Sequence, residues 1–278
     1  MDNGTLFVVA TPIGDVDDLS PRAKNVLERV SVIAAEDTRV SGRLLQAIGV
    51  STPMMSLHEH NERARVGQLL QRLQAGEDIA LISDAGTPLI SDPGYPLVHA
   101  TRQENIEVVP VPGPCALISA LSVSGLPTDR FVFEGFLPSK GGNRRSRLQA
   151  LVNETRTLIF YESPRRVQSS IEDMLNCFGG DRAAVVAREL TKTYETIKQG
   201  SLAELSAWLV DNPSQQRGEF VVIVAGAAEV DEDEQAVRRV LGILMADLPV
   251  SQAATLTAQI CDQKRNKIYK LAQELKDA

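Results

Sequence analysis

Residues 79–94 read IALISDAGTPLISDPG. The first four, Ile79–Ile82, are all apolar, and the run then breaks into Ser83-Asp84-Ala85-Gly86-Thr87-Pro88. A short run that is apolar at every position marks a strand buried on both faces, as in a parallel sheet. The residues after it suit a ligand loop. Gly86 lets main chain approach a ligand closely, and Pro88 and Pro93 restrict the path. Ligands of open α/β sheets sit beyond the carboxyl ends of the strands, where this loop falls. Ordinary turns share this composition, so the assignment depends on the rest of the chain.

Upstream, an apolar strand at 5–10 runs into Thr11-Pro12-Ile13-Gly14-Asp15. Ser20 is placed as an N-cap with Pro21 at the first helical position. A second strand at 32–35 ends in Glu36-Asp37-Thr38-Arg39, and its helix stops at Gly49. A third strand at 54–57 is followed by His58-Glu59-His60-Asn61 and a long helix to Gly76. Downstream, a helix near 96–103 and a strand at 106–111 lead to Pro112-Gly113-Pro114-Cys115-Ala116, then a helix at 116–123. Alternating strands and helices predict a mostly parallel sheet with right-handed crossovers.

Ser124-Gly125-Leu126-Pro127 marks a domain boundary. The second half has strands at 130–136, 157–161, 183–188 and 219–225, with 194–199 as a hairpin partner, and reads as a mixed sheet. Residues 138–147 read as a polar loop holding Lys140, Arg144, Arg145 and Arg147. The acidic run 231–234 reads as a solvated linker. Beyond it come helices at 234–245, at 251–260 with Ser251 as N-cap, and at 264–275. The last carries Lys264, Arg265, Lys267 and Lys270 opposite Ile268, Leu271 and Leu275. Helix, short turn and basic helix outline a helix-turn-helix; a helical cap or dimer element fits the same outline. The expected organisation is an α/β domain at 1–124, a second at 125–228, and a linker with helical tail at 229–278.

Of the 278 residues, 43% are hydrophobic and 23% charged, the balance of a globular protein with a sizeable core. The N-terminus lacks a basic segment and a long apolar run, so no secretory signal is expected. No stretch approaches the ~18 apolar residues of a membrane span. Three scattered cysteines, Cys115, Cys177 and Cys261, fit a reducing cytoplasm better than a disulfide or zinc framework. The net charge of −7 argues mildly against a nucleic-acid partner, but the two basic clusters are local, and local patches decide phosphate binding.

Several chemistries lack their residues. Thr11-Pro12-Ile13-Gly14 has no glycine triplet for a dinucleotide pyrophosphate, and no P-loop occurs. His58, Glu59 and His60 cluster, but His99 is the only other histidine, too few ordered ligands for zinc. Ser83 and Ser91 sit outside any nucleophile elbow. What remains is three strand-end loops, 11–15, 84–92 and 112–116, each with proline, glycine and little bulk. Such loops suit a compact ligand gripped by main-chain groups, with orientation doing the catalytic work.

The stretches VATPIGDVDDLSPRA (9–23), AAEDTR (34–39), LHEHNE (57–62), SDAGTPLISDPGY (83–95), PVPGPCALISAL (110–121), EGFLP (134–138), TLIFYESPRR (157–166) and ARELTKTYET (187–196) together resemble the tetrapyrrole-methylase-fold S-adenosylmethionine (SAM) methyltransferases. The resemblance runs from about residue 6 to 226. It implies a two-domain α/β fold of the class III methyltransferases with a helical, helix-turn-helix-like tail. Tetrapyrrole members usually carry Gly-Asp-Pro where this chain has Gly86-Thr87-Pro88, and a first loop richer in glycine. Both departures point to the RNA-modifying branch.

The resemblance implies SAM-dependent 2′-O-methylation of a cytidine ribose in the decoding centre of 16S rRNA by a cytoplasmic homodimer, with no metal. It assigns the cofactor to Pro12, Gly86, Thr87, Pro88, Ile90, Cys115, Ala116, Tyr161, Glu162, Leu190, Gly218, Glu219 and Phe220. A ribose hydroxyl is weakly acidic, so a base or a nearby cation should assist. Among the strand-end candidates, which also include Glu36, Asp37 or Glu189 is expected to take the proton, and Arg39 and Lys192 to hold phosphate or developing charge. The two basic clusters are expected to grip RNA. A methyltransferase of a tetrapyrrole or other small molecule is the second reading, and a non-catalytic RNA-binding protein the third.

Overall fold

The computed structural model describes residues 3–58, 60–228 and 232–277. Strands β1 (Leu6–Val9), β2 (Val32–Ala35), β3 (Met54–Ser56), β4 (Ile79–Ile82) and β5 (Val108–Val111) form one sheet in the order β3-β2-β4-β1-β5, with every pair parallel. Burial on both faces explains the uninterrupted apolar runs. Successive side chains of a strand point to opposite faces. Phe7, Val9, Ile33, Ala35, Ala80 and Ile82 pack with Val26, Leu27 and Leu45 of α1 (Pro21–Arg29) and α2 (Thr38–Ile48). Leu6, Val32, Ala34, Ile79 and Leu81 pack with Leu69, Leu73 and Leu97 of α3 (Glu62–Gln74) and α4 (Tyr95–Gln103) on the other. The helix ends follow their sequence signals. Ser20 Oγ accepts the Ala23 N–H at 3.1 Å, and Gly49 closes α2 in the left-handed region at φ 76°.

The second sheet has the order β6-β7-β10-β8-β9, built from β6 (Phe131–Phe136), β7 (Thr157–Glu162), β8 (Ala183–Arg188), β9 (Thr196–Ser201) and β10 (Phe220–Val224). It is mixed as expected: β6 and β7 are parallel, and the other pairs antiparallel. One face carries Phe160, Val186 and Val222 against α6 (Gly141–Ala150), α7 (Val167–Phe178) and α8 (Leu202–Asp211). The other carries Ile159, Val185, Ala187, Val221 and Ile223 against Leu117, Ala120 and Leu121 of α5 (Ala116–Val123), with Ile13 from the loop after β1. A helix that follows the first sheet in sequence thus buries its apolar face on the second. Both sheets belong to one compact unit ending at Gly226, and a second unit runs from Ala227.

Two local expectations fail. Residues 138–147 are not a loop: Gly141–Ala150 is helical, with Lys140 in the N-cap position. Its Gly-Gly-Asn start hid a helix that burial of Leu148 and Arg144 stabilises. Ser251 is not the N-cap of its helix. Pro249 holds that place, and Ser251 lies inside α10 (Val250–Ile260).

The second unit contains α9 (Glu232–Asp247), α10 and α11 (Arg265–Asp277) around Val237, Leu241, Ala253, Ala254, Ala258, Ile268 and Ala272. The acidic linker expected at 231–234 lies in part outside the described residues, and the helix already includes Glu232. Among the described residues no helix is long and apolar enough to cross a membrane.

Candidate active site

Strand register brings the three sequence-predicted loops together. Val9 pairs with Val111, Val8 with Leu81 and Ala35 with Ile82, so β1, β2, β4 and β5 end at one edge. Main chain ties the loops there. Thr11 and Gly86 exchange both N–H···O=C bonds at 2.8 and 3.0 Å, and the Thr87 hydroxyl donates to the Pro114 carbonyl at 2.9 Å. Gly86 meets this pairing at φ 82°, a conformation that favours glycine.

The second sheet supplies the facing wall. β10 is antiparallel to β7 and β8, so Phe220 sits beside both Glu162 and Arg188. The end of β7, the end of β8 and the start of β10 therefore converge. Between the two walls lies a cavity of about 450 Å³, within the range of a small-molecule site. Ten of the expected cofactor residues line it: Gly86, Thr87, Ile90, Cys115, Ala116, Tyr161, Glu162, Leu190, Glu219 and Phe220. Pro12, Pro88 and Gly218 do not. Gly218 instead turns the chain at φ 91° where a Cβ would strike the Glu189 side chain. Among the described residues, four of the six positive-φ residues other than glycine lie in the bordering turns: Leu89 and Ser91 on one side, Glu189 and Thr191 on the other. Such strain concentrates where surrounding structure holds a functional geometry.

The cavity is acidic on one side and aromatic on another. Glu36, Asp84 and Asp92 line it, as do Tyr161 and Phe136, whose rings meet edge to face at 5.7 Å. Burial pushes the Asp92 carboxyl up to about 6, with Glu36 and Asp84 adding to the rise against a Ser83 hydrogen bond. Burial also raises Asp84, opposed by the Asp37 N–H that its Oδ1 accepts at 3.0 Å. The Tyr161 hydroxyl accepts the Leu117 N–H at 3.2 Å, and burial raises its pKa. Thr87 carries no charge and stands between Asp84 and Asp92, and both bring a carboxylate to the wall. Glu162 borders the cavity, but its own carboxylate accepts from Arg166 at 2.8 Å and the Ser170 hydroxyl at 2.6 Å.

Of the five strand-end acid–base candidates, Glu36 lines the cavity, and Asp37, Arg39, Glu189 and Lys192 do not. The Asp37 carboxylate receives Arg39 Nε at 3.1 Å and Nη2 at 2.6 Å, which hold it well below the usual carboxylate range. Lys192 Nζ donates to Glu189 Oε1 at 3.0 Å and to the cavity-lining Glu219 Oε2 at 2.7 Å. Burial opposes ionisation of Glu189, but the Glu219 N–H and Lys192 outweigh it, and its pKa falls. Sequence spacing could not reveal that Asp37 is locked by its neighbour, nor that Glu189 and Glu219 share one lysine.

A family profile described as Tetrapyrrole (Corrin/Porphyrin) Methylases matches residues 5–206. The chain belongs to the tetrapyrrole methylases. A second profile, the RsmI C-terminal HTH domain, matches residues 231–276. Over 276 residues the chain is 57% identical to the protein of Pseudomonas aeruginosa called Ribosomal RNA small subunit methyltransferase I, covering 98% of each. The protein of the same name from Escherichia coli O157:H7 is 51% identical over 98% of this chain and 95% of its own. Among solved structures, a cobalt precorrin-4 methyltransferase shares the fold with a TM-score of 0.60 at 15% identity, over 80% of this chain and 94% of that one. A uroporphyrin-III C-methyltransferase from Thermus thermophilus, complexed with S-adenosylhomocysteine, gives 0.57 at 19%, over 80% and 97%.

In this tetrapyrrole methylase the basic clusters divide on inspection. Arg144 is not a surface cation: its Nε donates to Asp173 at 2.7 Å inside the protein, because the helix at 141–150 turns it onto α7. Arg147 forks onto Glu134 at 2.6 and 2.8 Å. Lys140 and Arg145 are exposed. In the second unit Lys264, Arg265, Lys267 and Lys270 are all exposed, and Arg265 reaches across to Thr255 Oγ1 at 2.9 Å. Among the described residues no group of three or more His, Cys, Asp or Glu could hold a metal ion.

Proposed function

We propose that this methylase transfers the methyl group of SAM to the ribose 2′-hydroxyl of a cytidine in the decoding centre of 16S rRNA, as a cytoplasmic homodimer. The cavity between the two sheets carries this reading, in a chain matched over nearly its whole length by relatives named as rRNA methyltransferases. The cavity fits the cofactor in size and charge. Apolar and aromatic groups, with Tyr161 and Phe136 foremost, suit an adenosine, and Glu36 and Asp84 complement a sulfonium and an ammonium group. Gly86, Thr87, Ile90, Cys115, Ala116, Leu190 and Phe220 would hold the cofactor between the sheets.

When bound, SAM supplies an electrophilic methyl carbon. The protein contributes alignment and charge. Rigid turns fix the site, and orientation of this kind is worth several kcal/mol of barrier. Arg39, whose side chain is 87% exposed, and Lys192 at the rim supply positive charge for substrate phosphates. Lys140 and Arg145 add phosphate contacts, and the exposed lysines of α11 give the second unit a basic surface of its own.

Labelled SAM offered in parallel with small ribosomal subunits, naked rRNA and a tetrapyrrole precursor tests the reading. Label is expected in rRNA, at a nucleotide whose 3′ linkage resists alkali. Label in the tetrapyrrole alone would overturn it.

A further inference from the structure

Of the five acidic residues that line the cavity, Glu162 and Glu219 are paired with Arg166 and Lys192, and two more are occupied with main chain. Asp84 Oδ1 accepts the Asp37 N–H at 3.0 Å, and Glu36 Oε2 accepts the Asp84 N–H at 3.4 Å. Asp92 stands apart. Its turn passes through positive φ at Leu89 (73°), Ser91 (70°) and Gly94 (125°). The buried Glu62 fixes the end of that turn by accepting the Gly94 N–H at 2.7 Å. The chain thus holds a costly conformation that keeps Asp92 in the cavity wall. The nearby Ser83 hydroxyl donates to the Ala85 carbonyl at 3.2 Å. The titratable groups facing Asp92 are Glu36 and Asp84 on its own sheet and Tyr161 on the other, with Glu62 behind the turn. Among the described residues no cation pairs with Asp92, whereas Asp37 is held by Arg39 and Glu189 by Lys192.

We propose that Asp92 accepts the proton of the substrate ribose hydroxyl as the methyl group is transferred. This assignment rests on the ribose-methylation reading. As the hydroxyl oxygen bonds to the methyl carbon, the carbon–sulfur bond breaks, its electron pair stays on sulfur as a neutral thioether, and the hydroxyl proton passes to Asp92. Water then removes that proton. A base that titrates about 6 is ionised at neutral pH yet remains basic enough to assist. The neighbouring carboxylates and burial maintain that balance.

Single-turnover methylation of rRNA against pH, with SAM and S-adenosylhomocysteine affinities measured by calorimetry, tests the role. The unaltered protein should lose rate below an inflection near pH 6. Asp92→Asn should slow transfer by roughly 100-fold, the scale of general-base assistance, and abolish the inflection, while both affinities stay within about twofold. If Asp92→Asn weakens SAM but not S-adenosylhomocysteine in proportion to the lost rate, Asp92 only balances the sulfonium charge, and the assignment fails. Transfer within threefold of the unaltered protein also overturns it. Absence of transfer by the unaltered protein overturns the ribose-methylation reading and this assignment together, whereas transfer that survives Asp92→Asn overturns the assignment alone.

Discussion

Replacing Arg144 by methionine separates an RNA contact from a structural ion pair. The side chains of Arg144 and Asp173 are 8% and 10% exposed, and the pair joins α6 to α7. Removing one partner of a buried pair costs about 3–5 kcal/mol, because the other charge is stranded. Arg145 Nη1 lies 3.5 Å from Asp173 Oδ1 and is 58% exposed, so it offsets part of that stranding. The loss should fall at the lower end, about 3 kcal/mol. In a domain of this size 1 kcal/mol moves Tm by about 2–4 °C, so a fall of about 6–12 °C is expected by calorimetry. Adding Asp173→Leu leaves no buried charge and should restore much of the loss. rRNA affinity, measured where both proteins are folded, should change by less than about twofold. Unchanged Tm with weakened RNA binding would refute the structural role and return Arg144 to the RNA-binding cluster.

Three further outcomes follow from the same geometry. In Gly14→Ala the new Cβ would meet Lys192 Cγ and Thr191 Oγ1 at 2.6 Å and the Leu190 carbonyl at 2.9 Å. Main chain cannot swing aside, so about 1–3 kcal/mol of stability and much of the cofactor affinity should be lost; thermal unfolding and calorimetry check both. Glu62→Ala strands the Gly94 N–H, costs about 1–3 kcal/mol and should raise the KM for SAM, whereas Glu62→Gln retains the acceptor and should come close to the unaltered protein. Folding raises the Asp92 pKa from 3.8 to about 6, so its ionised form opposes folding above pH 6, and the penalty vanishes as pH falls from 6 towards 4. Discounted for partial exposure and screening, the penalty is about 1 kcal/mol. Asp92→Asn should therefore unfold a few degrees higher than the unaltered protein at pH 8 and level with it at pH 4.5.

The first sheet was readable because its physics is local. Ile79–Ile82 is apolar throughout since helices cover both faces, and Ser20-Pro21 and Gly49 cap helices wherever they occur. The helix at 141–150 was not readable, because Gly141 and Gly142 weaken its start and its stability comes from residues distant in sequence. The loops that form the cavity could be named one by one, since composition marks a turn. Which carboxylates face the cavity could not, because that depends on strand order. Glu36 and Asp84 meet only because β2 lies beside β4, with β3 outside them. Sequence reading named Asp37 and passed over Asp92, because the arginine that locks Asp37 shows its role only in the folded geometry. Arg144 looked like its exposed neighbours until a partner 29 residues away claimed it.

The double pairing of Thr11 with Gly86 means that this part of the first wall of the cavity is shaped by peptide groups. Truncating side chains there leaves the donors and acceptors in place. A conventional alanine scan would therefore undercount the wall and report the few charged groups as the whole site. Amide-to-ester substitution at Thr11 or Gly86 would reveal the rest. It also follows that many residue combinations can trace the same contour, so evolutionary drift in these turns can proceed with little change in what they enclose.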